Sequence, residues 1–386
     1  MPTFIPLCVP EIRGNEWKYV KDCLDTGWVS SVGSYVDRFE QAVAEAAGRK
    51  FAVATSNGTS ALHVSLILAG VKPDEEVLVS DLTFIAPANA VRYVGAHPVL
   101  VDSEPDFWQM DLDLVESFLR RCDRLQGQVF NHETGRRIAA IIPVHALGHP
   151  VDIVRLCDLA REFEIPVIED ATESLGAQIK GSPVGSHGDC ACFSFNGNKI
   201  LTTGGGGMIV TNDPVFAERG KYLTTQAKDD QIEYIHGEIG YNYRLTNIQA
   251  AMGCAQMEML SGYVERKREI AFRYIKELTG IPGILPMLEE GNARSCFWMF
   301  TALVEYESFG MDSRALLRAL AAGKIQARPL WQPLHLSPAH RNTQSLGGRV
   351  AERLYRDAIS LPCSVGLREE AQSRVIERLK LIQLAR

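Results

Sequence analysis

Four kinds of side chain that do chemistry fall where short apolar runs end. Lys199 lies in FSFNGNKILTTGGGGMIVTND (193–213), just past one such run. A lysine held there among apolar neighbours is a candidate amine nucleophile. Asp170 closes IPVIED (165–170). A carboxylate at that place can cap a helix, pair with a cation or hold a protonated ring nitrogen. SNGTSALHVSL (56–66) follows the run FAVAT, and Gly58 permits a tight turn before an apolar-periodic helix opened by Thr59 and Ser60. The free N–H groups and hydroxyls of such a helix start attract phosphate. In GYNYRLTNIQAAMG (240–253), Asn242 and Arg244 precede an amphipathic stretch.

Each feature alone is a weak signal: the 56–66 segment and Asp170 read more readily as helix caps, and Asn242 and Arg244 as a cap and a surface pair. Their order and spacing together match the needs of pyridoxal 5'-phosphate (PLP). The phosphate wants a helix N-terminus, the pyridinium nitrogen a carboxylate, the aldehyde a lysine and the ring an aromatic face. Phe84, in SDLTFIAPANAV, is the expected stacking partner. The run Gly204–Gly207 does not fit a dinucleotide site, because those glycines lead into MIVTN rather than into a helix. The third glycine position of that fingerprint falls on Ile209.

The elements needed to place these groups are legible as a βαβα alternation. The apolar runs 51–55, 76–81, 97–102, 139–145, 165–170, 190–195 and 207–212 read as buried strands. Helical patterns cover 58–70, 86–94, 111–121 and 150–163. This order predicts a mostly parallel sheet with helices on both faces and ligands beyond the carboxyl ends of its strands. The polar segment 124–138 reads as an inserted loop or hairpin. A long helical pattern runs from Tyr243 to about Thr279, with a break expected near Ser261-Gly262. Beyond it lie one strand, FWMFTALVEY (297–306), and helices near 312–322, 348–359 and 367–384. The expected division is a large PLP-binding domain (12–256) and a small C-terminal α/β domain (257–386), with residues 1–11 packing on the latter.

Composition bounds the rest. The 386 residues carry a net charge of −7, with 46% hydrophobic and 23% charged residues. No Lys/Arg-rich block offsets the negative charge, so nucleic acid and anionic membranes are not expected partners. No apolar run is long enough to span a bilayer, and the start lacks signal-peptide character. Nine scattered cysteines without a C-x-x-C suit a reducing cytosol, and no metal site is expected.

From GNEWKYVKDCLDTGWVSS to SLPCSVGL the chain resembles the DegT-type sugar-nucleotide aminotransferases, which have the aspartate aminotransferase-like fold (PLP fold type I). The resemblance implies that Lys199 bonds covalently to the cofactor and Asp170 contacts its ring nitrogen. It implies that Gly58, Thr59 and Ser194 hold the phosphate and that Phe84 stacks on the ring. It further implies a cytoplasmic homodimer in which Asn242 reaches the neighbour's cofactor. Glu173, in EDATES, stands where many members have Gln or His, near the cofactor's phenolic oxygen, and Gly204–Gly207 replaces G-E-G-G. With YLTTQAKDD (222–230) and VDSEPDFWQMD (101–111), these features resemble the legionaminic acid and bacillosamine subgroup. That subgroup implies glutamate as amino donor and C4 of a nucleotide-linked 4-keto-6-deoxy-N-acetylhexosamine as acceptor, with UDP the expected carrier. Expected substrate contacts are Trp28 and Ser30 (with Val29 and Ser31), His145, Arg328, Trp331 and His335. A PLP-dependent sugar 3-dehydratase of the same fold is an alternative, although such relatives replace the lysine with histidine. A non-catalytic PLP-binding sensor is a second one.

Overall fold

The computed structural model describes residues 3–230 and 232–384. Seven strands of three or more residues form the large sheet: β1 (Phe51–Thr55), β2 (Glu76–Ser80), β3 (His97–Val101), β4 (Ile138–Ile142), β5 (Ile168–Asp170), β6 (Cys190–Ser194) and β7 (Gly207–Thr211), with the two-residue strand Ser345–Leu346 pairing alongside β3. Their spatial order is β1-β7-β6-β5-β4-β2-β3, with parallel bridges Ile141–Val167 and Val144–Asp170 joining β5 to β4. Only β7 runs antiparallel to its neighbours; the other pairings are parallel. Every residue of β2, β4 and β7 is buried. That explains their unbroken apolar runs, since strands covered on both faces have no solvent side to alternate with.

The sheet separates two cores. Val77 and Val79 of β2 pack with α3 (Gly58–Leu68) and α4 (Ala86–Tyr93), through Leu62, Leu66 and Val91. Leu78, between them in sequence, packs on the other face with α5 (Leu112–Arg121) and α6 (Ile153–Glu162). This is the period-2 alternation of a strand. Cys190 and Cys192 are buried with the α3 side and serve as small apolar groups.

The polar insertion contains the hairpin Asp123–Leu125 and Gln128–Phe130. The long helical pattern is two helices, Asn247–Met257 and Leu260–Leu278. The first starts later than the periodicity predicts because Thr246 and Gln249 form a capping box. The break falls at Glu258-Met259, so Ser261 and Gly262 lie inside the second helix. A smaller antiparallel sheet orders Ile284–Pro286, Phe300–Val304, Ala358–Leu361 and Arg328–Pro329. The N-terminal segment joins it: Ile5 bridges Ile325, and Cys363 N–H donates to Leu7 O at 2.8 Å. The strand predicted at 297–306 is shortened to Phe300–Val304, because Phe297 has φ +45° and turns the chain before the strand starts. No helix among the described residues is long and apolar enough to cross a membrane.

Candidate active site

A cavity of about 390 Å³ opens beyond the carboxyl ends of β5 and β6, lined by Gly58, Thr59, Phe84, Asp170, Glu173, Ser194, Lys199 and Trp331 among others. Residues as far apart as Asn57 and Trp331 meet there, since strand ends collect on one edge of the sheet. Helix α3 begins at Gly58, and the side chain of Asn57 accepts a hydrogen bond from Ser60 N at 2.8 Å. Asn57, not Thr59, is therefore the cap, and the Thr59 hydroxyl is left to the cavity. A Cβ built on Gly58 would stand 3.0 Å from Ser194 Cβ and 3.1 Å from Thr172 Cγ2. That small-residue cradle, at the positive end of a helix, fits a phosphate group.

Asp170 is 2% exposed and accepts from Thr172 N at 3.1 Å. Burial pushes its carboxyl above the usual range, against the pull of the Thr172 hydrogen bonds and of Lys199. A buried acid of this kind gains most from a cationic donor, which is what a protonated ring nitrogen provides. The residues present thus fit PLP at its phosphate and at its ring nitrogen.

Lys199 enters from the loop between β6 and β7, and its Nζ lies 3.4 Å from Glu173 Oε1. The other carboxylate oxygen of Glu173 accepts from Leu147 N at 2.9 Å. Glu173 is buried, and desolvation raises its carboxyl even though the lysine beside it favours the anion. The second acid is therefore turned toward the amine. The Lys199 ammonium also sits over the Trp298 ring, 4.3 Å from its centroid.

Several expected contacts lie elsewhere. His145 is fully buried and does not line the cavity. Its Nδ1 accepts from Val151 N at 3.0 Å, so Nε2 carries the proton and donates to Glu169 Oε2 at 3.0 Å. Burial pushes the Glu169 carboxyl up, but His145 and the amides of Gly185 and Gly188 overcome this and bring it down to about 2. His145 N–H donates to Asp170 O at 3.1 Å, so this histidine supports a strand end instead of touching substrate. His335 is likewise corrected. Its Nδ1 meets Asp81 Oδ2 at 2.5 Å and its Nε2 meets Glu352 Oε1 at 3.1 Å. The Asp81 hydrogen bond, opposed by desolvation, raises it to about 9, and both ring nitrogens are occupied.

Trp28 lines a separate groove with Tyr35 and Asn247, and Ser30 offers its carbonyl to Asn247 N at 2.6 Å. Neither reaches the lysine cavity of its own chain. Asn242 is exposed, bridges Thr225 and is also absent from that cavity. Arg328 is exposed and lines an adjoining cavity of about 480 Å³ that shares Asn198, Trp298 and Trp331 with the first. Among the described residues no ion pair involves its guanidinium. Trp298 escapes a reading of the sequence because FWMF is indistinguishable from the start of a strand.

The profile of the DegT/DnrJ/EryC1/StrS aminotransferase family matches residues 10–380. GDP-perosamine synthase of Caulobacter vibrioides is 39% identical over 378 residues, covering 97% of each chain. UDP-4-amino-4-deoxy-L-arabinose–oxoglutarate aminotransferase of Shewanella sediminis is 30% identical, covering 91% of this chain and 89% of that one. Among solved structures, Spr1654 of Streptococcus pneumoniae in its PLP-form superposes with a TM-score of 0.88 at 25% identity, covering 99% of both chains.

Proposed function

This chain belongs to the DegT/DnrJ/EryC1/StrS aminotransferase family, and from that premise we propose that it moves the amino group of L-glutamate to the C4 carbonyl of a nucleotide-linked 4-keto-6-deoxy sugar. It is a PLP-dependent sugar aminotransferase of the aspartate aminotransferase-like fold. The observation that carries the proposal is the placement of the Lys199 amine 3.4 Å from Glu173, in one cavity with Asp170 and the start of α3.

When bound, PLP supplies the electron sink and carries the amino group between two half-reactions. Gly58, Thr59 and Ser194 would hold its phosphate, Asp170 its ring nitrogen and Phe84 its ring face. Lys199 would anchor it covalently, then release it to the donor and act as general acid/base. Glu173 would orient the released amine. Phe84 is 58% exposed, which leaves one side of the cavity to be covered. A homodimer in which Asn242 comes from the partner would cover it. Arg328, on the adjoining cavity and without an ion pair among the described residues, suits a carboxylate or a diphosphate.

The family resemblance favours UDP and an N-acetylated sugar, but the name of the 39% identical relative carries GDP instead. GDP is therefore the first carrier to test and UDP the second. The test is visible absorbance of the purified protein before and after L-glutamate, then after GDP- and UDP-linked 4-keto-6-deoxy sugars. A yellow band lost with glutamate and restored by one keto sugar identifies donor and acceptor. A protein that stays colourless with added PLP refutes the proposal.

A further inference from the structure

Trp298 lies in none of the motifs that point to PLP, yet it contacts both Lys199 and the residue before it. Its ring faces Lys199 Nζ, and its indole N–H donates to the carbonyl of Asn198, the residue before the lysine, at 2.7 Å. The side chain is 4% exposed and stacks parallel to Trp331, with ring centroids 6.3 Å apart.

The backbone is strained to put it there. Phe297 has φ +45°, a region that bulky residues rarely occupy, and it is fully buried. Opposite it, Leu147 has φ +61° and Gly148 +87°. A Cβ on Gly148 would stand 2.6 Å from Trp298 N, so the two loops interlock. Lys267, itself buried, donates to Trp298 O at 2.6 Å and to Cys363 O at 2.7 Å. Strain that persists only because the surroundings enforce it gathers where function requires a geometry.

We propose that Trp298 is a positioning residue for Lys199, fixing the lysine loop through its indole N–H and stabilising through its ring face the ammonium that forms when Lys199 takes a proton. This rests on the aminotransferase reading above. In that step the donor's C–H bond breaks, the proton passes to Nζ and the electron pair stays on the substrate side. A ring face at 4.3 Å stabilises the cation more than the neutral amine that precedes it. The contact therefore favours the transition state over the ground state.

The experiment compares Trp298→Leu and Trp298→Phe in the PLP-loaded protein. Three readouts are used: steady-state kinetics with glutamate, the isotope effect of 2-deuteroglutamate, and the fraction of bound cofactor that borohydride fixes to Lys199. Trp298→Leu is expected to lower kcat roughly three- to thirtyfold with KM little changed. It is also expected to raise the isotope effect and reduce the borohydride-fixed fraction. Trp298→Phe keeps a ring face and should recover most of kcat. Should the leucine variant fold poorly, Trp298→Met makes the same test. A wild-type kcat and isotope effect in a folded leucine or methionine variant overturns the inference, and a phenylalanine variant as impaired as the leucine one overturns its ring-face part, since phenylalanine lacks only the N–H. Lack of borohydride fixation to Lys199 in the unsubstituted protein overturns instead the reading on which it rests.

Discussion

Glu173 Oε1 and Lys199 Nζ face each other at 3.4 Å, the acid buried and the amine side chain 13% exposed. Breaking one side of such a pair leaves the other uncompensated, so neither residue is a spectator. Lys199→Ala should lose turnover by at least about a thousandfold, because covalent anchor and proton carrier disappear together. The variant should still bind PLP without a borohydride-stable link. Steady-state assay with mass analysis after reduction checks this, and retained turnover would refute the assignment.

Gly58→Val tests the phosphate cradle. The new side chain would press on Ser194 Cβ and Thr172 Cγ2, at 3.0 and 3.1 Å from its first carbon alone. Overpacking of this kind costs about 1–3 kcal/mol, here expressed mainly as cofactor affinity. The Kd for PLP should rise about tenfold or more while far-UV circular dichroism is unchanged, which is measurable by fluorescence titration.

Asp170→Asn keeps an acceptor for Thr172 N but removes the charge opposite the ring nitrogen. Turnover should fall about a hundredfold or more, with cofactor still bound. Unchanged kcat would mean that this carboxyl only caps its turn.

His335 provides a pH signature separate from catalysis. Its pKa is raised to about 9 by the Asp81 hydrogen bond, against about 6.5 in an unfolded chain. A raised folded-state pKa stabilises fully below the unfolded value and is lost as pH climbs through the folded one. Stability should therefore decline between about pH 6.5 and 9, by something on the order of 1–2 kcal/mol after solvent screening. His335→Gln should flatten that part of a Tm-against-pH curve. An identical slope in the variant would assign the decline to other groups.

Asn242 is exposed and absent from its own chain's cavity, which a contribution to the partner's site would explain. Lys199→Ala and Asn242→Ala proteins should each be inactive alone. Mixed and re-equilibrated in equal amounts, they should regain about a quarter of wild-type activity, since half the dimers are mixed and each holds one intact site. A mixture that stays inactive argues that Asn242 does not act across an interface.

The sequence by itself determined the sheet, the helices flanking it and the cradle–aspartate–lysine order. Those features are local: buried strands need continuous apolar runs, turns need glycine or asparagine, and a parallel sheet brings its strand ends to one edge. Asp170 and Lys199 could thus be singled out from their distance to an apolar run alone, whereas Ser194 was implied only by the family resemblance. Tertiary structure decided what a side chain does when its partners lie far along the chain. His335 is claimed by Asp81, 254 residues earlier, and His145 by Glu169, so two histidines expected at the substrate became supports for the fold. Glu173 faces the amine because Leu147 N–H, on a strained loop, holds its other oxygen. Trp298 reaches Lys199 only because interlocked loops and a buried lysine enforce an unfavourable φ at Phe297. No local pattern encodes such strain, because the residues that sustain it meet only when the chain has folded.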